Sequence, residues 1–198
     1  MANDDPGVPA DATEERSYRV TPATIDDLDT VTDLWVDLAR SQRRHGSTLL
    51  AAENRPAVRE WVAQSAVSGE LLVAREGNTD GNETAGESAD TTDEPLVLGF
   101  VGFTLERDGY ERDRTRGTVS NLYVRPNHRG EGIGAALLAA AERALTEAGA
   151  DAVALEALAD NDQARSFYTD HGYTPNRVEL VKPLADDATA DEESGDVQ

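Results

Sequence analysis

Three glycines stand within five residues, at positions 130, 132 and 134 of RPNHRGEGIGAALL (125–138), where the following pattern requires the first turn of a helix. Glycine there costs roughly 0.5–1 kcal/mol per residue relative to alanine. A chain keeps such a turn where something must approach its backbone too closely for side chains. The opening amides of a helix have no internal acceptors, and the macrodipole adds partial positive charge at that end. Gly130, Glu131, Gly132, Ile133, Gly134 and Ala135, with Arg129 beside them, therefore read as a cradle for an anion such as a diphosphate.

Three kinds of cradle compete. A Walker-type loop needs Gly-Lys-Ser/Thr, which is absent. Gly130-x-Gly132-x-x-Ala135 fits a relaxed dinucleotide-binding fingerprint, and Glu156 lies at a distance suited to holding a ribose. Against that reading, Arg125 to Arg129 separate the preceding strand from the first glycine. The upstream strands also form a meander rather than a βαβ unit, and only one more helix and strand follow.

The surrounding order is α/β. SYRVTPA (17–23) reads as a strand, and Thr24 can cap a helix whose stripe is Leu28, Val31, Leu34, Trp35 and Leu38. After the basic stretch RSQRRHGSTLL (40–50) comes a helix near 55–68 carrying Val58, Trp61 and Val62. GELLVARE (69–76), LVLGFVGFTLE (96–106) and RGTVSNLYV (116–124) read as three antiparallel strands. The glycine turn opens a helix ending near Gly149. DAVALEAL (151–158) is a further strand, NDQARSFYTDH (161–171) a helix capped by Asn161 and closed by Gly172, and VELVKPL (178–184) a last strand. One domain over 16–184 is expected, with acidic, disordered tails at 1–15 and 185–198 and an enlarged acidic hairpin loop at 76–95.

Composition narrows the function classes. The formal charge of −21 argues against nucleic acid and anionic membranes as partners. With no cysteine and three scattered histidines, no metal site is expected. Neither a signal peptide nor a membrane span is evident, so the expected location is cytoplasmic. Acidic excess with Lys182 as the single lysine suits a halophilic protein, hydrated and screened in concentrated salt. Its melting temperature should then climb as potassium chloride rises into the molar range, and a flat curve would remove the salt-adaptation reading.

Arg129-x-x-Gly132-x-Gly134 resembles the Arg/Gln-x-x-Gly-x-Gly/Ala motif of the GCN5-related N-acetyltransferase (GNAT) superfamily. SNLYVRPNHRGEGIGAALL followed by LEALADNDQARSFYTDHGY is similar to the two halves of that family's cofactor site, and the element order agrees over 17–184. The resemblance implies the GNAT fold: a central, mostly antiparallel mixed sheet flanked by about four helices, with the strands at 116–124 and 151–158 splayed apart. One departure is the end of the chain, which has room for one long strand where the family usually has two.

The resemblance also implies acetyl-coenzyme A as acyl donor. Its diphosphate would lie on the amides of Gly130 to Ala135 and its pantetheine beside Leu122, Tyr123 and Val124, with Asn161 and Ala164 as further contacts. A backbone N–H near Leu122 could polarise the thioester carbonyl. Tyr168 is the implied acid toward the departing thiolate; a core tyrosine with a satisfied hydroxyl is the competing reading. Some relatives carry a glutamate base on the strand matching 116–124, but Thr118, Ser120 and Asn121 stand there instead. Glu156, twelve residues before Tyr168, resembles the base of branches that acetylate protein N-termini. The implied reaction is direct transfer to a primary amine of a small molecule or protein N-terminus. The alternatives are another acyl group or a hydroxyl acceptor, or a non-catalytic coenzyme A-binding module. A homodimer through the last strand is compatible with the resemblance.

Overall fold

The structure is a computed structural model that describes residues 18–77, 95–106 and 113–182. The expected tails and nearly all of the acidic loop at 76–95 lie outside these residues. Within them the chain forms β1 (Tyr18–Pro22), α1 (Leu28–Gln42), α2 (Arg55–Ser68), β2 (Leu71–Glu76), β3 (Val97–Leu105), β4 (Arg116–Val124), α3 (Ile133–Glu147), β5 (Ala152–Leu155) and α4 (Asp162–Asp170). The sheet runs β1-β2-β3-β4-β5, antiparallel except for the parallel β4–β5 pair.

Each face of the sheet has its own apolar layer. Val73, Phe100 and Tyr123 meet Val31, Leu34 and Trp35 of α1 and Val58 and Val62 of α2. Ala74, Leu98, Val101 and Val119 meet Ile133, Leu137, Leu138, Ala141 and Leu145 of α3 on the opposite face. β3 is buried over seven consecutive residues because helices cover both of its sides. The α1–α2 pair is laced on its exposed side by Arg59–Asp29 at 3.1 Å and by Arg55–Asp33.

Thr24 begins α1 differently from the expected cap. A short 3₁₀ turn, Ile25–Asp27, intervenes, and the Asp27 carboxylate accepts the Thr24 backbone N–H at 2.7 Å. Arg75 of β2 donates to the same buried carboxylate at 2.6 Å, tying α1's start to the sheet.

Two sequence expectations are corrected at the chain's end. The strand expected over 151–158 stops at Leu155, so Glu156 lies just beyond β5. The strand expected at 178–184 is absent over 178–182, and 183–184 lie outside the described residues. Val178, Leu180 and Val181 are exposed and pair with no strand among the described residues. Alternation of valine and leucine with charge suits a half-buried strand, but strand preference depends on the packing a segment finds, and this one stays solvent-exposed.

Candidate active site

β4 pairs with β5 only from Arg116 to Val119; from Ser120 to Val124 its β5 side is open. The departure coincides with a β-bulge. Gly102 of β3 faces Asn121 and Phe103 faces Val119, leaving Ser120 as the extra residue. The insertion resets the alternation: Val119, Leu122 and Val124 belong to the α3 layer, while Tyr123 joins the α1–α2 layer and Asn121 meets α1. Arg125 N–H donates to Leu98 of β3 at 2.8 Å, so by strand alternation Leu122 and Val124 turn their backbone groups toward the open side. Tyr123, between them, directs its backbone at β3 and buries its ring against Phe100, with centroids 6.4 Å apart. Of the three residues expected to line the pantetheine, Leu122 and Val124 face the gap.

The glycine turn closes one end of this gap. Gly130 and Gly132 have φ of +85° and +81°, a conformation that favours glycine, and Gly132 caps α3 without any side-chain hydrogen bond. No protein group among the described residues accepts the amides of 130–135; Ala136 is the first to bond, to the Gly132 carbonyl at 3.0 Å. A Cβ added at Gly130 would meet nothing within 4 Å. The amides of 130–135 thus lack protein acceptors, as a diphosphate cradle requires, and the Tyr18 hydroxyl lies close by, 3.4 Å from where a Gly132 Cβ would stand. Gly134 is less constrained: a Cβ there would lie 3.6 Å from Phe167 of α4 and 3.8 Å from Val124, ordinary contact distances, so α4 packs on the first turn of α3 with room for a methyl group. Glu131 is exposed, 3.5 Å from His128. Arg129 donates from Nε to the Val124 carbonyl at 3.0 Å and stands over the Tyr123 ring at 5.6 Å. Its guanidinium is fixed between the cradle and the open edge of β4. Burial, with the Asp37 carboxylate second, raises the Tyr123 pKa against the opposing pull of Arg129 and Arg125.

α4 forms the other wall. Asn161 accepts the Ala164 N–H at 3.1 Å, confirming its capping role and leaving its amide N–H₂ for a ligand. Tyr168 packs edge-on against Phe167 and Tyr173, with centroids 5.2 and 5.8 Å apart. Tyr173 donates to Glu142 of α3 at 2.7 Å, fastening the segment after α4; burial and then Glu142 push its pKa up. Burial also raises the Tyr168 pKa, and no hydrogen-bond partner holds its hydroxyl among the described residues. The hydroxyl oxygen is not among buried unpaired groups, so it is open to solvent in the cleft. Glu156 is exposed just beyond the end of β5 and makes no ion pair among the described residues.

Sequence reasoning missed several neighbours of the site. Trp35 of α1 donates from its indole N–H to Asn121 at 3.1 Å, and Trp61 of α2 packs over Gly102 beside Ser120. His45 bonds through Nδ1 to the Asp160 carbonyl at 3.0 Å, bringing the α1–α2 loop against the loop before α4. In the basic stretch, Arg40 pairs with Asp37, but Arg43 and Arg44 bond the Leu49 and Ser41 carbonyls.

Comparison with known proteins gives a consistent picture. The sequence profile of the Acetyltransferase (GNAT) family matches residues 51–173. No curated protein matches the sequence. Among solved structures, a GCN5-related N-acetyltransferase from Ralstonia eutropha is similar, with 25% identity over 84% of this chain and 98% of its own and a TM-score of 0.58. An aminoglycoside acetyltransferase from an uncultured soil sample, in complex with trehalose, shares 17% identity over 85% and 97% of the two chains, with a TM-score of 0.58. A transcriptional regulator from Bacillus halodurans has the same fold at 18% identity, 84% and 99% coverage and a TM-score of 0.57.

Proposed function

Since the chain belongs to the GNAT acetyltransferase family and is an acyltransferase, we propose that it transfers the acetyl group of acetyl-coenzyme A directly to a primary amine of a small molecule or a protein N-terminus. The observation that carries this reading is the run of unbonded amides at 130–135, opening onto the unpaired edge of β4. When bound, acetyl-coenzyme A supplies the activated acyl group.

The remaining roles fall to residues of the chain. The amides of Gly130 to Ala135 and the guanidinium of Arg129 hold the diphosphate; Asn161 and Ala164 stand at the neighbouring wall. Leu122 and Val124 accept the pantetheine as though it were a strand, and the Leu122 N–H faces the gap in position to favour negative charge on the acyl oxygen. The acceptor comes from the α1–α2 face. An alkylamine with a pKa near 10 arrives protonated at neutral pH and must lose a proton to become a nucleophile. Glu156, exposed just beyond β5 and without an ion pair among the described residues, is the base in this reading. Tyr168 donates a hydrogen bond to the departing thiolate. Holding the reactants in line accounts for much of the rate, since orientation alone saves roughly 7–11 kcal/mol.

Calorimetry with coenzyme A, followed by a screen of amines with acetyl-coenzyme A, tests the proposal. Binding together with acetylation of an amine supports it; absence of coenzyme A binding to the folded protein defeats it. Glu156→Gln then tests the base. Its kcat should fall on the order of 10²-fold at pH 7 and recover as pH approaches the amine pKa, where free amine no longer needs a base. A constant deficit across pH would assign Glu156 another role.

A further inference from the structure

At the bulge where β4 leaves β5, three side chains from two elements form a single hydrogen-bonded line. The Trp35 indole N–H, on a residue 9% exposed, donates to Asn121 Oδ1 at 3.1 Å. An indole N–H can only donate, so this bond fixes which end of the Asn121 amide is oxygen. The amide nitrogen is thereby turned to Ser120 Oγ, to which it donates at 3.3 Å. The serine oxygen keeps one acceptor position and its own O–H. Its location is also constrained from the β3 side, where a Cβ on Gly102 would come within 2.6 Å of Trp61 and 3.1 Å of Ser120 Oγ. Ser120 is exposed. Nearby Thr118 is committed through its hydroxyl to Glu106 at 2.8 Å. Among the polar side chains where some relatives carry a glutamate, Ser120 alone combines exposure with unused hydrogen-bonding capacity.

Resting on the acetyl-transfer reading above, we infer that Ser120 is the group that orients the acceptor amine, and that Asn121 and Trp35 are positioning residues acting through it. The free lone pair of Ser120 Oγ accepts one N–H of the incoming amine, which aims the nitrogen lone pair at the acyl carbon. As the nitrogen gains positive charge during attack, its N–H becomes a stronger donor. The bond to Ser120 tightens most when the barrier is crossed and so raises kcat rather than ground-state binding alone. The proton itself leaves to the base, because a serine hydroxyl does not retain it. The bulge supplies the geometry, since Ser120 is the residue left unpaired with β3, immediately past the last β4–β5 pair at Val119.

The test is a double-mutant cycle on transfer from acetyl-coenzyme A, with a polyamine, an amino-acid amide and a free-N-terminus peptide as acceptors. Ser120→Ala should lower kcat about tenfold with the KM for acetyl-coenzyme A unchanged. Trp35→Phe, which keeps the packed ring and removes the N–H, should lower kcat several-fold. The double variant should be no slower than Ser120→Ala, because Trp35 acts only through the serine. Additive losses would reduce Trp35 to a packing role, and an unaltered kcat in Ser120→Ala would overturn the inference. Asn121→Ala replaces Trp35→Phe in the cycle should the latter fail to fold. Coenzyme A binding without transfer by the wild-type protein to any amine would defeat the acetyl-transfer reading itself, whereas wild-type turnover indifferent to Ser120 defeats only the orienting role.

Discussion

Tyr168→Phe is expected to lower kcat for acetyl transfer by about 10²-fold, while coenzyme A affinity and melting temperature stay close to wild type. The ring is held by edge contacts to Phe167 and Tyr173, which phenylalanine preserves. The hydroxyl has no protein partner to lose among the described residues, so its removal strands no buried group. What disappears, in the proposed reaction, is the donor to the departing sulfur. Burial raises the Tyr168 pKa above the usual value of 10, so the proton is present throughout the neutral range. The activity should therefore show no loss from tyrosine ionisation below pH 10. A thiol near 8.5 is a stronger acid than this phenol, so the hydroxyl stabilises the forming thiolate chiefly by hydrogen bonding. Complete transfer becomes downhill only as apolar surroundings raise the thiol's pKa as well. Steady-state kinetics of the purified variant settle the point: kcat equal to wild type would remove Tyr168 from the chemistry and leave it a wall of the cleft.

The glycine turn could be read from sequence because its causes are local. Positive φ at Gly130 and Gly132, and orphan amides at a helix start, belong to a single stretch of chain. The same holds for the Asn161 cap, three residues from its partner. The contacts that shape the acceptor side are not local. Trp35 and Asn121 are 86 residues apart, and a helical stripe gives Trp35 as core without revealing that its N–H emerges at β4. The bulge at Ser120 is equally silent in the sequence, since one extra residue alters which face each later side chain takes without altering composition. Gly134 illustrates both kinds of cause. Its place in the motif is legible, whereas its packing against Phe167 depends on a helix docked more than thirty residues later. At the chain's end the error ran the other way: a clear strand pattern at 178–182 pairs with no strand among the described residues, although β5 is an edge of the sheet.

Gly99→Ala should be the most damaging single-methyl substitution in the sheet. Gly99 sits opposite Val124 in the β3–β4 ladder, and its φ is not in the left-handed region, so backbone conformation gives no reason for glycine. The reason is space. A Cβ at this position would fall on the Tyr123 carbonyl oxygen, with Val124 Cα at 3.2 Å and Leu137 Cδ1 at 3.3 Å. Two of those three neighbours are backbone of the adjacent strand and cannot rotate aside. Gly102, three residues along, also lacks room, but its obstacle is the edge of a half-buried Trp61 ring, which can shift. Overpacking commonly costs 1–3 kcal/mol where side chains relax, and a clash against paired backbone belongs at or above the top of that range. At roughly 2–4 °C per kcal/mol for a chain of this size, the melting temperature should fall by about 10 °C, against a much smaller drop for Gly102→Ala. The consequence reaches function because relief of the clash pushes Tyr123 and Val124 away from β3. That displacement carries Leu122 and Val124 into the gap that the proposed function assigns to the pantetheine. Coenzyme A affinity measured well below the melting transition should therefore weaken in the folded variant. An alanine at 99 with native melting and native binding would mean that β3 and β4 lie farther apart than the structure places them.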